Sequence, residues 1–217
     1  MLLKENINPI NSLKLISHEK ILNELVQLYQ IKKLPKVMMF TGNKGIGKFT
    51  LINHFLNYIF SINEKTKYNL NDQSINKDSL FYKSTINKTC ENVVYIKEED
   101  NKKIKIENIR NLKSLLIKKS FNNQSRFIII DDVEFLNLNS VNALLKSLEE
   151  PSDNNYFILI NNKQRELIET ISSRCLKTNI YINKDDKSKI ISYLIKLHSI
   201  DPIIDWKNTD ISPGLFI

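Results

Sequence analysis

Apolar residues fall along this chain in two rhythms. Short, nearly unbroken apolar runs stand at residues 37–41, 93–96, 127–130 and 156–160. Between them apolar residues recur every three or four positions. Ile21, Leu22, Leu25 and Leu28 form one such stripe, and Leu51, Ile52, Phe55, Leu56 and Ile59 a second. Ile109, Leu112, Leu115 and Leu116 form a third, and Val141, Leu144, Leu145 and Leu148 a fourth. The first rhythm predicts strands buried on both faces; the second predicts helices with one apolar side. Strands alternating with helices predict an α/β fold, a parallel sheet flanked by helices. A polar break near residue 184 opens a further helix carrying Ile190, Ile191, Leu194 and Leu197. A boundary near residue 180 therefore divides an α/β domain, 1–180, from the start of a small helical domain, 181–217. Residues 61–90 are polar and weakly periodic, and read as an insertion or a loosely ordered connection. Residues 97–105 are charged and read as a hairpin or loop.

Chemistry gathers after the first predicted strand. Residues 42–48 read GNKGIGK. Strand, glycine loop and helix in that order are the context of a phosphate loop. Glycines at Gly42, Gly45 and Gly47 let backbone N–H groups turn toward phosphate oxygens at the positive end of a helix, and Lys48 would reach the outer phosphates. The residue after that lysine is ordinarily Ser or Thr, which holds Mg²⁺. Here it is Phe49, and Thr50 follows. One residue turns a helix by about 100°, so Thr50 belongs to the candidate set but points elsewhere. The alternative reading is a turn that only packs strand on helix. Asp131 and Asp132 end the third apolar run. The first acid could steady Mg²⁺ and its water; the second stands where a Glu usually orients the attacking water. The alternative is a pair of strand-end acids capping a turn. Arg174 lies in Ser173-Arg174-Cys175, after a strand and a helix. It could reach a phosphate across a subunit interface, or make an ordinary surface ion pair.

Composition narrows the class. The 217 residues are 41% hydrophobic and 26% charged, as in an ordinary globular protein. The net charge of +8 fits contact with nucleic acid, or equally the Lys- and Asn-rich usage of an AT-rich genome. Two cysteines far apart, Cys90 and Cys175, argue against a disulfide framework and fit a reducing cytoplasm. No apolar stretch approaches the roughly 18 residues that span a bilayer, and none begins the chain as a secretory leader would.

The second half carries a resemblance. DDVE at 131–134, NALLKSLEEP at 142–151 and SRC at 173–175 resemble the clamp-loader branch of the AAA+ P-loop ATPases, in order and spacing, from about residue 15 to 180. Within that branch the motor type (gamma/tau) resembles GxxGxGKTS, DEVH and four zinc-binding cysteines. This chain has Phe49, Asp132 and one cysteine, Cys90, in the corresponding interval. It is more similar to the delta-prime type of DNA polymerase III, as are Ser17-His18-Glu19, Leu34-Pro35-Lys36 and GIGKFTL.

The resemblance implies a rigid stator in a five-subunit loader that places the sliding clamp on primed DNA. Gamma/tau and delta subunits would be partners, in the cytoplasm and away from membranes. Arg174 would complete a neighbour's ATP site. The chain would then be part of a DNA-directed DNA polymerase holoenzyme, a nucleotidyltransferase complex. Its own nucleotide binding would be weak and its own ATPase absent or very slow. Structural zinc needs four ligands, and Cys90 with His18, His54 and His198 does not supply them, so no zinc is expected. A motor ATPase of the same loader and a non-replicative AAA+ module are the alternatives. The family's second domain carries Ser-x-Gly, often followed by Arg; here it is Ser212-Pro213-Gly214-Leu215. Set against the family, the helical collar that follows there is expected to be absent, and residues 181–217 are expected to form an incomplete lid, frayed toward its end.

Overall fold

The computed structural model describes residues 8–97, 104, 106–117, 124–199 and 209–216. Five strands form one sheet: β1 (Val37–Thr41), β2 (Val93–Ile96), β3 (Arg126–Ile130), β4 (Asn155–Asn161) and β5 (Leu176–Asn179). Their order is β2-β3-β4-β1-β5, and every pairing is parallel. The four apolar runs are the first four strands. The fifth, Leu-Lys-Thr-Asn, has no apolar signature and is largely exposed. It joins the edge through its backbone ladder with β1, Met38 facing Leu176 and Thr41 facing Asn179.

Burial explains the centre of the sheet. All of β3 is buried, and nearly all of β4. Such strands need apolar side chains on both faces. One face packs on α4 (Ile106–Ile117), α5 (Leu138–Glu149) and α6 (Glu169–Ser172). Met39, Ile128, Ile130, Phe157 and Leu159 meet Ile109, Leu112, Val141, Leu144, Leu148 and Ile171 there. Each fully buried side chain of this kind contributes about 1.5–3 kcal/mol, so this layer is a large source of the sheet's stability. Residue 104 is the one described position in the charged stretch beyond residue 97. It bridges Leu136 in parallel; the rest of the stretch lies outside the described residues.

Contacts group the chain into two compact units. Pro35–Asn43 and Glu91–Ile180 hold the whole sheet. Met1–Leu34, Lys44–Cys90 and Tyr181–Ile217 form the other, helical unit. One change of unit falls at Ile180–Tyr181, and residues 44–90 group with 181–217.

In the helical unit α1 (Glu19–Gln30) buries Leu22, Leu25 and Val26. The next helix, α2 (Lys48–Ser61), buries Leu51, Ile52, Phe55, Leu56 and Ile59. Residues 61–90 are more ordered than their weak periodicity implies. The Glu64 carboxylate accepts the backbone N–H groups of Leu80 (2.8 Å) and Phe81 (3.0 Å) at the head of α3 (Leu80–Ile86). Phe81 stacks on Phe60 at 4.7 Å between ring centres. Side-chain-to-backbone bonds and aromatics order this segment, and neither leaves a period to read. Helix α7 (Lys184–His198) follows the polar break as expected, capped by the Asn183 side chain on Asp186 N–H. Only Ile191 of its expected stripe is fully buried, and Leu197 is exposed.

His54 is wholly buried on α2. Its Nδ1 meets Tyr68 Oη at 2.8 Å and its Nε2 meets Ser12 O at 3.0 Å. A carbonyl can only accept, so Nε2 carries the hydrogen and Nδ1 accepts from the tyrosine. Burial lowers the imidazole pKa to about 4, against the opposing pull of the Ser12 carbonyl. The native state therefore binds fewer protons than the unfolded chain below pH 6.5 or so. This contribution to stability is present above that pH and is lost as the pH falls toward 4, by roughly 3 kcal/mol in all. Urea unfolding of wild type and His54→Gln across this range should show the wild type losing the greater stability on acidification. Equal pH profiles would refute the neutral buried imidazole.

Candidate functional site

The carboxyl ends of the parallel strands lie along one edge of the sheet, and ligands of open α/β sheets bind beyond that edge. Three acids stand there, at and after the end of β3. Asp131, Asp132 and Glu134 are all buried, at 7%, 1% and 6% exposure. Each is held by donors. Asp131 accepts from Tyr95 Oη (3.0 Å), from the Asp132 backbone N–H (2.9 Å) and from Asn162 Nδ2 (3.1 Å). Asp132 accepts from the same Asn162 Nδ2 (2.7 Å) and from Gln164 Nε2 (3.1 Å). Glu134 accepts the backbone N–H groups of Asn162 (3.0 Å) and Gln164 (3.2 Å). The turn after β4 is thus fastened to the turn after β3, and one Asn162 amide bridges both strand-end acids.

Two features carry the cost of this arrangement. Asp132 sits at φ 57, ψ 44, a left-handed conformation uncommon outside glycine, though Asp tolerates it better than most. Burial raises the Asp131 carboxyl pKa, helped by the Asp132 charge; Lys97 at 3.9 Å and the Tyr95 hydroxyl oppose the shift. Glu134 is raised as well, again chiefly by burial. The sequence pointed to Asp131 and Asp132 but not to Glu134, Asn162 or Gln164. Asn161-Asn162, two amides directly after an apolar strand, were the available signal.

The glycine loop is divided between the units. Gly42, in the sheet unit, donates its backbone N–H to Asn161 O at 3.1 Å. In the helical unit Gly45 and Gly47 take φ values of 81° and 89°, which only glycine adopts without strain. Gly47 caps α2, and Lys48, 3% exposed, is its first residue. Thr50 lies one residue past Phe49 in the same first turn, partly buried. His18, also left-handed at φ 69, places Nε2 2.7 Å from Ile46 O and donates to it. Burial is the main cause that lowers the His18 pKa, and the Lys48 charge adds to it. His18 had been read as part of an opening motif and in the count of zinc ligands; it is a strut under the loop.

The loop also touches the chain's last described segment. Gly214 N–H donates to Gly45 O at 2.8 Å, and Ser212 Oγ donates to Lys44 O. A Cβ on Gly214 would lie 3.0 Å from Gly45 Cα and 3.0 Å from Gly45 O. Residues 212–216, including α8 (Pro213–Phe216), are therefore seated on the loop. Where a frayed end was expected, two hydrogen bonds and a close backbone contact hold residues 212–216; residues 200–208 and 217 lie outside the described residues. The signal was the scarcity of glycine. The chain has four; three stand in the loop and the fourth packs on it. The residues fit a phosphate-cradling turn by backbone shape. The carbonyl side of that turn is occupied by the chain itself.

Arg174 follows α6, which Ile171 anchors in the core. Its Nε donates to Glu149 Oε1 at 2.7 Å and its second terminal nitrogen to the same oxygen. Its first terminal nitrogen donates to Thr170 O at 2.7 Å. The NALLKSLEEP and SRC segments thus meet through one ion pair. Cys175 is a packed thiol, its Sγ donating to Ile171 O at 3.1 Å, and burial pushes its pKa up to about 11. Both cysteines are free thiols. Among the described residues no group of three or more His, Cys, Asp or Glu is placed to hold a metal ion, and no helix is long and apolar enough to cross a membrane.

A glycine loop between the first strand and a helix, acids ending a buried strand, and a parallel sheet in this order define a P-loop α/β protein of the AAA+ class. The solved structures agree on the fold. A gamma-subunit-related protein of DNA polymerase III from Thermotoga maritima superposes with a TM-score of 0.52 at 19% identity, covering 80% of this chain and 52% of that one. The RuvB branch migration motor of Thermotoga maritima superposes with a TM-score of 0.53 at 16% identity, covering 89% and 56%. The family model described as "DNA polymerase III, delta subunit" matches residues 17–184, and the chain belongs to that family. A delta-prime subunit from Pseudomonas aeruginosa is 35% identical over 80 residues, 37% of this chain and 24% of that protein. One from Buchnera aphidicola subsp. Acyrthosiphon pisum is 27% identical over 172 residues, 76% of this chain and 49% of that protein. The gamma subunit of the same Buchnera is 25% identical over 188 residues, 86% of this chain and 50% of that protein. The chain spans about half or less of the length of these relatives.

Two outcomes follow from the geometry. A carboxyl raised by burial is bound to its proton more readily in the native state, so it weakens the fold at neutral pH and ceases to do so as the pH falls through its raised value. Asp131→Asn should therefore raise the unfolding temperature at pH 7, with the gain shrinking on acidification; a gain that grew toward acid pH would contradict the assignment. Gly214→Ala should push residues 212–216 off the loop. Faster hydrogen exchange at the residue 214 amide would register the release, and unchanged protection would show that the contact survives a Cβ.

Proposed function

We propose that this chain acts as the delta-prime type of subunit in a DNA polymerase III clamp loader, a stator that does not turn over ATP itself. The observation that supports this reading best is the state of the strand-end acids. Asp132, at the water-orienting position, is 1% exposed and spends its Oδ1 on two amide donors. It is also one methylene shorter than the usual Glu, and a misplacement of about 1 Å can lower a rate about 10²-fold. Phe49 replaces the hydroxyl that would grip Mg²⁺. Glycines and Lys48 remain, so weak ATP binding is part of the proposal. When bound, the nucleotide would supply only a phosphate contact to the loop and Lys48.

Arg174 is the outward-facing chemistry. In the proposed assembly it lies against the ATP of a neighbouring gamma/tau subunit and stabilises charge on the transferred phosphoryl group, a contribution worth about 10³–10⁵ in known trans-arginine sites. The delta subunit, the sliding clamp and primed DNA are the further proposed partners, reached through the complex. One observation favours a second reading, a gamma-type motor: the match to the Buchnera gamma subunit covers 86% of the chain, more than the two delta-prime matches described above.

Phosphate release at saturating Mg-ATP separates the two. The purified chain should be inactive on the scale of the ~1–10³ s⁻¹ of ordinary enzymes; turnover in that range would promote the motor reading. In a loader reconstituted with gamma/tau- and delta-type partners from the same genome, Arg174→Ala should lower DNA- and clamp-stimulated ATPase at least tenfold. Unchanged ATPase in an assembly shown to contain the variant would refute the trans role.

A further inference from the structure

Arginine has five N–H donors in one plane, and a flexible side chain holds that plane only if several are fixed. Three hydrogen bonds fix Arg174. Nε and one terminal nitrogen both donate to Glu149 Oε1, and the other terminal nitrogen donates to Thr170 O, with a longer contact to Ser173 Oγ at 3.4 Å. The acceptors sit on rigid ground. Glu149 is the last residue of α5, one position beyond the buried Leu148. Thr170 precedes Ile171, which is 0% exposed in the sheet's core. The pair still faces solvent, the Arg174 and Glu149 side chains being 30% and 47% exposed.

We infer that Glu149 is the positioning residue for Arg174: its carboxylate sets the plane of the guanidinium so that the remaining terminal N–H is presented outward toward a phosphate. This rests on the trans role proposed above. Both bonds to Glu149 go to a single oxygen, so the carboxylate holds one edge of the guanidinium. Thr170 O takes one N–H of the other terminal nitrogen. One hydrogen of the nitrogen shared with Glu149 has no protein acceptor in this set, while Ser173 Oγ lies 3.4 Å from the other terminal nitrogen. A group fixed before its target arrives gives up less freedom on binding than one that must be ordered then. Charge alone would predict the opposite: a carboxylate beside an arginine competes with a phosphate. Because the contact is a side-on hydrogen-bonded one, an uncharged acceptor of the same shape should do the same work. Gln at position 149 has that shape, and Ala has none.

The test uses the full chain in the reconstituted loader, with Arg174→Ala as reference. Glu149→Ala should lower kcat of the stimulated ATPase about five- to twentyfold, with KM for ATP changing less. Glu149→Gln should restore at least half of the wild-type rate. The double variant should be no slower than Arg174→Ala, since both act through one group. A second readout needs no partner. In the isolated ¹⁵N-labelled chain, the Arg174 Nε–H should exchange with water slowly in wild type and Glu149→Gln, and fast in Glu149→Ala, with unfolding temperatures matching. Wild-type ATPase in Glu149→Ala beside a crippled Arg174→Ala would overturn the positioning role and leave the trans arginine standing. Faster turnover in both Glu149 variants would show that the carboxylate competes with the phosphate, and would also overturn it. Unchanged ATPase in Arg174→Ala would remove the trans arginine itself. Equal Nε–H exchange in wild type and Glu149→Ala would remove the contact.

Discussion

Burying β3 and β4 on both faces leaves this chain with nowhere to put polar side chains except the strand ends. That constraint organises the sheet unit. Ile128, Ile130, Phe157 and Leu159 pack among apolar side chains, and the acids, amides and glycines collect where the ladder stops. Once there, carboxylates that are nearly inaccessible to water must find donors from the protein or become protonated. The turn after β4 supplies them: two backbone N–H groups to Glu134, and the Asn162 and Gln164 amides to Asp131 and Asp132. The same bonds fix the two turns to each other. Structural need and candidate chemistry therefore draw on the same atoms here. An acid engaged by two amides has less freedom to orient a water than one with an open lone pair.

The helical unit answers a similar problem by backbone contact. Gly45 and Gly47 curl the loop, His18 braces Ile46 O, and Gly214 closes on Gly45. None of these contacts draws on apolar burial. Each depends on a small residue or a single donor being at one place. That is why they tolerate little substitution, and why they leave no trace in hydrophobic periodicity.

What could be read from sequence follows the same division. The first four strands and the stripes of α1, α2, α4 and α5 were legible because burial imposes a period on residue type. β5 was not, since an exposed edge strand needs only its backbone, and Leu176, Lys177, Thr178 and Asn179 carry no pattern. The order within residues 61–90 was hidden because Glu64 acts on N–H groups sixteen and seventeen positions away. Lys48, Asp131 and Arg174 were singled out because each lies in a short motif. Glu134, Asn162, Gln164 and His18 were missed as partners because a partner is chosen by the fold, not by its neighbours in the chain. Glu149 was inside a quoted motif, yet nothing in the motif linked it to Arg174 twenty-five residues later.

The contrast between Asp132 and Arg174 is the strongest physical argument about what the chain can do. Asp132 is 1% exposed and engaged by two internal donors. Moving it onto a water molecule would release the exposed Gln164 amide and leave one N–H of the buried Asn162 amide unmet, its other still held by Asp131; an unmet buried donor costs about 1–3 kcal/mol. Arg174 is also hydrogen-bonded, but at the surface, where water can replace a lost partner and an exposed pair is worth only about 0–1 kcal/mol. Its guanidinium has more donors than its internal acceptors use. The acid is committed to the fold, whereas the arginine keeps donors beyond its internal bonds, and the proposed role of Arg174 rests on that difference.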